Sequence, residues 1–465
     1  MDVTEYQPRL AELVAELRER FAIPGAIGAV QVGDEVAAAA AGVLNVRTGV
    51  DITTDTLFLI GSITKVWTTT LVQILADEGA LDLDVPVVEY LPSLRLRDPE
   101  VQARVTLRDL VSHRSGIEGD HFHDFGRGDD AVARYVESCA ELRQLSPLGE
   151  LFSYGNSGFV IAGRVIEVVT GSTWHEVLRR RLMEPLGLQD TVYTPEDAIL
   201  RRTSVGHRHD PDGQVEVWPA WVYPWSMLPA GTSLCCSITD LLAFGRLHLN
   251  EGRAPDGTQI VSPGSVKAMQ TPHIELPYPG LGSMGLGWFL YDRFGTPVPN
   301  HGGGSPGGLD YLYILPEHDL AFAFYANLDP SGAAARFGTE LRDAVFSELV
   351  GIDSPPAVGS GTDPNVSVAP GSVVGRYVHT DATWTVEESG DGQLQLVTEG
   401  RGHITPFAPY RYGPYPLRTL TDELLELAPE GVPVGAGTKI VLIDSDGDGT
   451  VDYLHSGYRA FVRMP

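Results

Sequence analysis

Cysteine, lysine and long apolar runs are scarce in this chain of 465 residues, and each shortage excludes a class of protein. The 3 cysteines are Cys139, Cys235 and Cys236, and they show no CxxC spacing of the kind that binds metal. This count predicts a reducing compartment and no disulfide framework. No run reaches the roughly 18 uncharged apolar residues that a membrane helix requires. The N-terminus lacks a basic start followed by an apolar core, so we expect a cytoplasmic protein without a membrane partner.

Basic residues are also outnumbered, with 33 Lys and Arg against 61 Asp and Glu and a net charge of −28. This charge repels phosphates and makes nucleic acid a poor partner. Solubility is the simplest role for the charge, and recognition of a basic partner is the alternative. Only 3 lysines occur, Lys65, Lys267 and Lys439. A lysine inside a motif is therefore more informative than usual.

The chain is long enough for two or three domains, and its hydrophobic content of 43% predicts a large packed core. Helical and strand patterns alternate over residues 1–352, which we assign to one catalytic domain. A strand pair is predicted at Ala26–Val32 and Glu35–Ala40. A hairpin is predicted at Leu309–Leu315 and Leu320–Ala326. Helical periodicity marks Ser62–Glu78, Gly158–Val169 and Ile238–Leu249.

The character of the sequence changes after a segment rich in Pro, Gly and Ser at residues 353–372, which we interpret as a linker. Short alternating runs separated by turn residues follow, so we expect residues 373–465 to form an all-β unit, a small barrel. The predicted strands are Trp384–Val386, Leu394–Val397, Glu423–Leu427, Lys439–Ile443, Val451–Leu454 and Tyr458–Val462.

A candidate nucleophile lies at the start of the helix predicted for 62–78, in the motif Ser62-Ile63-Thr64-Lys65. Residues three apart share a helix face, so Lys65 would stand beside Ser62. Burial lowers the pKa of a lysine, and a neutral amine can then take the proton of the serine. An N-cap serine followed by a surface lysine is the structural alternative.

Two later segments add groups that would complete such a site. Tyr154-Gly155-Asn156 precedes a helical stretch, and its phenol can relay a proton while the asparagine amide can bond to the lysine and to a substrate amide. His301-Gly302-Gly303-Gly304 borders a β-rich region, where glycines permit close approach of a substrate backbone. His301 can donate a hydrogen bond to a carboxylate or an oxyanion. Ordinary turns, one with a structural tyrosine, are the alternative for both segments.

The three motifs in this order resemble those of the penicillin-recognising serine enzymes, namely class C β-lactamases, DD-peptidases and related esterases. The stretch Val105 to Ile117 is similar to a connecting helix of that family. The resemblance implies an α/β fold of the α+β type: a β-lactamase/transpeptidase-like antiparallel sheet flanked by helices, with an all-helical region. It also implies an acyl-enzyme on Ser62, proton transfer by Lys65 and Tyr154, and an oxyanion hole from the Ser62 and Gly304 amides, without metal or cofactor.

One departure from the family pattern bears on the substrate. Histidine replaces the lysine of the third motif at His301, and histidine is charged only part of the time at neutral pH, so efficient β-lactam hydrolysis is not expected. The chain combines this catalytic domain with no export signal and with a C-terminal barrel that we interpret as lipocalin-like. In this combination it resembles the penicillin-binding-protein-type thioesterases of nonribosomal peptide assembly. That resemblance implies a peptidyl or acyl substrate, presented by a carrier protein and released by cyclisation or hydrolysis. A general esterase, D-aminopeptidase, DD-peptidase or amidase, and a scaffold without catalysis, are the alternatives.

Weaker patterns carry three further hypotheses. Arg459, near the end of the chain, would contact the substrate if the barrel returned to cover the active site; an arginine on a strand surface is the alternative. The acidic loop Asp444–Asp448 resembles the start of a calcium loop, but His455 occupies the twelfth position, where a glutamate is needed, so a hairpin turn is favoured. The groups around His121 and around His207 lack ligand spacing and are expected to be loop residues.

Overall fold

The structure is a computed structural model that describes residues 3–210, 212–292, 294–329, 332–353, 366, 368–380, 382–400, 410–427 and 437–464. Its α-helices are α1 (Val3–Arg20), α2 (Thr64–Asp77), α3 (Pro99–Arg104), α4 (Leu107–Val111), α5 (Ala131–Ser138), α6 (Asn156–Thr170), α7 (Trp174–Leu178), α8 (Pro195–Ala198), α9 (Ile238–Leu249), α10 (Pro263–Met269), α11 (Ala333–Val350) and α12 (Pro370–Val373). Its strands are β1 (Gly25–Val32), β2 (Glu35–Asn45), β3 (Val50–Asp51), β4 (Phe58–Leu59), β5 (Thr191–Val192), β6 (His207–His209), β7 (Val215–Val217), β8 (Cys235–Cys236), β9 (Ile274–Glu275), β10 (Gly282–Met284), β11 (Phe289–Tyr291), β12 (Val298–Ser305), β13 (Gly308–Leu315), β14 (Leu320–Ala326), β15 (Gly375–His379), β16 (Ala382–Glu388), β17 (Leu394–Gly400), β18 (Tyr410–Thr421), β19 (Leu424–Leu427), β20 (Lys439–Ile443), β21 (Tyr453–Ser456) and β22 (Arg459–Arg463).

Nine of the described strands form one antiparallel sheet in the order β3-β2-β1-β14-β13-β12-β11-β10-β9. The strand β14 shows why the sheet is covered on both faces. Ala321 and Ala323 pack into one core with α2, α6 and α9, whereas Phe322 and Phe324 pack into a second core with α1 and α11. Successive side chains of a strand point to opposite faces, so an uninterrupted apolar run fits a strand buried on both sides.

The predicted antiparallel sheet flanked by helices is therefore confirmed. The region between β3 and β9 holds α2 to α10 together with two small sheets, β4-β8-β5 and β6-β7, so it is mainly helical rather than wholly helical. The helix α2 is buried on nearly its whole circumference, from Thr64 to Leu75. The 3-10 turn that carries the candidate nucleophile, Ser62, runs directly into this buried helix.

The eight strands β15 to β22 form a closed antiparallel barrel, which confirms the predicted C-terminal barrel. The barrel closes where β15 pairs with β22, and Tyr377, Leu396 and Leu454 belong to its core. Two of its strands, β15 and β18, have no counterpart among the strands predicted from the sequence. Residues 354–365 and 367 of the proposed linker lie outside the described residues, so the domain boundaries stay a prediction. Within the described residues, no helix combines the length and apolar character needed to cross a membrane.

Candidate active site

Ser62 lies in a single 3-10 turn, Gly61–Ile63, that runs directly into α2. Gly61 has a φ of +45°, and a Cβ there would lie 2.7 Å from the amide nitrogen of Gly304. Only glycine fits this position, because any side chain would push β12 away from the start of α2. The free amide groups and the positive dipole end of a helix start therefore meet at Ser62.

Lys65 is fully buried one turn after Ser62. Its Nζ lies 3.0 Å from the Ser62 Oγ and 2.6 Å from the carbonyl oxygen of Ala230. Burial, helped by the positive charge of Arg459, lowers the pKa of Lys65 well below its usual range. A neutral amine can donate to Ala230 and direct its lone pair at the Ser62 hydroxyl. This is the arrangement that a general base for Ser62 requires.

Tyr154 lies over Lys65, whose Nζ is 4.9 Å from the centre of the phenol ring. Burial raises the pKa of the Tyr154 phenol, and the nearby Ser62 hydroxyl opposes that rise. The phenol is therefore neutral in the resting site. Its hydroxyl is buried and has no hydrogen bond of ordinary geometry within the described residues. It can give a proton to a leaving group and recover that proton from Lys65.

His113 is a site residue that the sequence analysis did not single out. Its ring stacks on the Tyr154 ring at 4.2 Å, and its Nδ1 accepts a hydrogen bond of 2.9 Å from the Gly155 amide. Burial, with help from Lys65 and His301, lowers the pKa of His113, so the ring is neutral. His113 thus holds the turn that presents Tyr154. It lies within the stretch Val105 to Ile117 that resembles the family's connecting helix, which was the one indication in the sequence.

Asn156 begins α6 and donates through Nδ2 to the Asp120 Oδ1 at 2.9 Å. The expected hydrogen bond from Asn156 to Lys65 is not found among the described residues. Asp120 is buried and also accepts from Arg459, with 3.1 Å between Arg459 Nη2 and Asp120 Oδ1 and a second bond from Nε to Oδ2. Burial favours protonation of Asp120, but the Arg459 charge and the contact with His379 outweigh it and hold the pKa of Asp120 below its usual range.

The barrel reaches the site through the turn between β21 and β22. The Tyr458 carbonyl accepts from the Tyr154 amide at 2.8 Å, and the Ala460 amide donates to the Ser153 Oγ at 3.2 Å. The Arg459 guanidinium stands 5.2 Å from the centre of the Tyr154 ring. The barrel therefore does return to the active site, and it brings Arg459 to it. Contact of Arg459 with a substrate stays a prediction.

A cavity of about 320 Å³ lies beside Ser62, Tyr154 and Arg459. Its lining residues are Ser62, Tyr154, Phe289, Tyr291, His301, Gly302, Gly303, Gly304, Leu309, Tyr311, Tyr458 and Arg459. Gly304 is exposed there, and its backbone lies against Gly61, the residue before Ser62, so the N–H groups of Gly304 and Ser62 can serve an oxyanion. The His301 Nδ1 lies 2.7 Å from the Gly302 carbonyl, and burial with the nearby Lys65 lowers the pKa of His301 to about 3. A neutral ring has a single N–H, so donation by His301 to a carboxylate or an oxyanion stays a prediction.

Comparison with known proteins agrees with this geometry. Residues 10–345 match the family model described as Beta-lactamase. The chain belongs to the beta-lactamase family. Penicillin-binding protein 4 of Amycolatopsis lactamdurans is 39% identical over 367 residues, which cover 78% of this chain and 94% of that protein.

Solved structures extend the likeness of this beta-lactamase family member to its C-terminal barrel. The match with the crystal structure of SurE covers 99% of this chain and 100% of the SurE chain, with a TM-score of 0.78 and 26% identity. The D-amino acid amidase of Ochrobactrum anthropi SV3, in complex with L-phenylalanine, matches this chain with a TM-score of 0.63 and 22% identity. The match covers 74% of this chain and 98% of the amidase chain, and it supports the fold alone. The relation to serine hydrolases that recognise penicillin, predicted from three motifs, is thus confirmed.

The acidic loop outside this active site does not require a cation. Asp444, Asp446 and Asp452 form the only close group of three metal-type ligands in the described part of the chain. Asp444 already accepts from the Gly447 amide at 2.8 Å, as a turn residue does. His455 is buried, bonded to the Phe152 carbonyl at 3.0 Å, and so takes no part in the loop. Calcium binding stays a hypothesis.

His121, His207 and the three cysteines are held by packing or by hydrogen bonds within the protein. His121 lies 2.9 Å from the Ser138 Oγ, and His207 donates to the Asn327 carbonyl at 2.8 Å. His207 and His209 lie in strand β6 rather than in the expected loop, and His207 is buried whereas His209 is exposed. All three cysteines are buried and free of disulfides, and burial raises the pKa of the Cys139 thiol to about 12.

Proposed function

We propose that this member of the beta-lactamase family is a peptide thioesterase and cyclase that acts through an acyl-enzyme on Ser62. The observation that carries the proposal is the 3.0 Å contact between a buried, neutral Lys65 and the Ser62 hydroxyl, beside a cavity that the barrel helps to line. The likeness to SurE extends over 99% of this chain, and a second SurE structure is a complex with D-Leu, which supports a substrate with a D-configured residue. A substrate with a D-configured C-terminal residue fits that relationship.

The first half of the reaction follows from the positions of the groups. The Ser62 Oγ attacks the thioester carbonyl and gives its proton to the Lys65 Nζ, and the amides of Ser62 and Gly304 hold the oxygen as it becomes negative. The C–S bond then breaks. Lys65 returns the proton through the neutral Tyr154 to the departing sulfur. The products are a free thiol and an ester on Ser62, and Lys65 is neutral again.

The second half releases the acyl group. The N-terminal amine of the same peptide, or water, attacks the ester carbonyl, and Lys65 takes the proton that the nucleophile loses. That proton passes to the Ser62 Oγ as the ester bond breaks. Attack by the amine gives a ring, and attack by water gives a linear acid. We also propose that a carrier protein presents the peptide, with its thioester at the mouth of the cavity.

A peptide thioester with a D-configured C-terminal residue and a free N-terminal amine tests the proposal. We expect thiol release and a macrocycle, both detected by mass spectrometry, and a much slower reaction of the L-epimer. Ser62→Ala should abolish release, while the exposed control Ser93→Ala should leave it unchanged. Absence of release that depends on Ser62 would refute the proposal.

A D-peptidase, esterase or amidase is the second candidate function. It is favoured by relatives that are hydrolases by name, such as the unguisins hydrolase of Aspergillus campestris, which is 29% identical over 352 residues. This candidate predicts that peptide amides and simple esters react as fast as the thioester and that only linear acid forms. The same product analysis therefore separates the two functions.

A further inference from the structure

The tautomer of His301 follows from its hydrogen bond inside β12. The His301 Nδ1 lies 2.7 Å from the carbonyl oxygen of Gly302. A carbonyl oxygen can only accept a hydrogen bond, so the proton of the neutral ring resides on Nδ1. The other ring nitrogen, Nε2, then carries a lone pair and no proton.

A second proton on His301 is opposed by its surroundings. The side chain is about 1% exposed, and the Phe289 and Tyr154 rings lie 5.3 Å and 6.2 Å from it. Lys65 also opposes a positive charge on His301. The titratable or charged side chains around the ring and its cavity are Lys65, Tyr154, His113, Arg459, Tyr291, Tyr311 and Tyr458, together with Asp310 on the paired strand β13. Burial raises the pKa of Asp310 well above its usual range, so none of these groups supplies a negative charge. The imidazole therefore stays neutral over the working pH range.

The Nε2 of His301 is buried and has no hydrogen-bond partner within the described residues. Buried polar atoms in native proteins are nearly always paired, and leaving one unpaired is costly. His301 also lines the cavity that contains Ser62. A ligand in this cavity that carries a hydrogen-bond donor would satisfy the lone pair, whereas a carboxylate would meet it with a second acceptor.

We propose that His301 is a specificity-determining residue that selects an acyl acceptor with a hydrogen-bond donor, a primary amine, and that rejects groups that can only accept, such as a carboxylate. The proposal rests on the proposed function, since it names the nucleophile that resolves the acyl-enzyme. The lysine of the related third motif donates hydrogen bonds to carboxylates. His301 instead offers a hydrogen-bond acceptor, Nε2, at the same position of the motif. One N–H of the amine bonds to the His301 Nε2, while its nitrogen attacks the ester carbonyl.

The atoms of this step balance without further reactants. The amine nitrogen forms a bond to the carbonyl carbon, and the bond from that carbon to the Ser62 Oγ breaks. One amine proton passes through Lys65 to the Ser62 Oγ. The proton that faces His301 stays on the nitrogen of the new amide, so His301 orients the amine and does not itself change charge.

The tautomer can be tested on the full-length wild-type protein by nitrogen NMR after labelling its histidines. We expect the His301 signals to show a protonated Nδ1 and an unprotonated Nε2 at neutral pH, with the signals assigned by their loss in His301→Gln. A protonated Nε2 would overturn the proposal. This measurement requires neither a substrate nor an active enzyme.

The selectivity can be tested by partition of the acyl-enzyme between two added amines. An amino acid amide and the matching free amino acid serve as acceptors that differ in a carboxylate. In His301→Leu the preference for the amide over the free amino acid should fall about tenfold, the loss expected for one hydrogen bond. His301→Lys should shift the preference towards the free amino acid. The control His209→Leu changes an exposed histidine outside the cavity and should behave as the wild type.

The outcomes separate this inference from the function on which it rests. Thiol release with an unchanged partition ratio in His301→Leu would refute the role of His301 and leave the thioesterase intact. No thiol release from the wild-type protein would refute the thioesterase, and the NMR result would still decide the tautomer.

Discussion

The two partners of the buried ion pair between Asp120 and Arg459 shift the pKa of Lys65 in opposite directions. Arg459 lowers the pKa of Lys65, and Asp120 raises it. Acylation requires neutral Lys65, so its rate should decline as pH falls through the Lys65 pKa. Arg459→Met removes the positive neighbour, raises that pKa and moves the acidic limb to higher pH. Asp120→Asn removes the negative neighbour and moves the limb to lower pH.

The cost of these changes to stability can be estimated from the same contacts. Arg459 makes two hydrogen bonds to a carboxylate that is 7% exposed, and its own side chain is 31% exposed. Breaking a buried pair from one side costs about 3–5 kcal/mol. Because Asp120 keeps its contacts with His379 and Asn156, we expect Arg459→Met to lower the free energy of unfolding by about 3 kcal/mol, at the low end of that range.

The assay is the rate of Ser62 acylation against pH by rapid mixing, with the free energy of unfolding measured by urea titration. Arg246→Met serves as the matched control, because it breaks a partly buried pair with Asp319 that has no contact with Lys65 in the described structure. It should cost stability without moving the acidic limb. In the double variant Asp120→Asn with Arg459→Met, the limb should return towards the wild-type position. Shifts in the same direction for both single variants would refute the electrostatic reasoning.

The remaining predictions concern the nucleophile, the oxyanion strand and the contact with the barrel. Lys65→Ala removes the general base and should slow Ser62 labelling by an acyl probe about 10²–10⁴-fold; labelling at the wild-type rate would exclude Lys65 as the base. Gly61→Ala places a Cβ 2.7 Å from the Gly304 nitrogen and should lower kcat/KM about 100-fold; unchanged kcat/KM would show that β12 can move. Tyr458→Phe removes a 2.6 Å bond to the Tyr291 hydroxyl and should cost about 1 kcal/mol in urea unfolding; no loss would mean that water replaces the bond.

Local patterns carried most of what the sequence alone determined. Ser62 and Lys65 meet because three residues are almost one helical turn, whatever the rest of the chain does. The pairing of β13 with β14 and the helix α9 also follow from short-range periodicity, and both match the predicted bounds within one residue. The strand β18 was missed because Gly413 and Pro414 interrupt its alternation, and both residue types are typical of turns.

Tertiary structure alone decided the electrostatic state of the site. Arg459 and Asp120 are 339 positions apart, and no local pattern links a barrel strand to a loop of the catalytic domain. The neutral Lys65, the neutral His301 and the position of His113 likewise depend on burial by several distant segments. The sequence therefore determined which reactive groups are present and which neighbours share a helix face, while long-range packing set their charges, because desolvation depends on everything that surrounds a group.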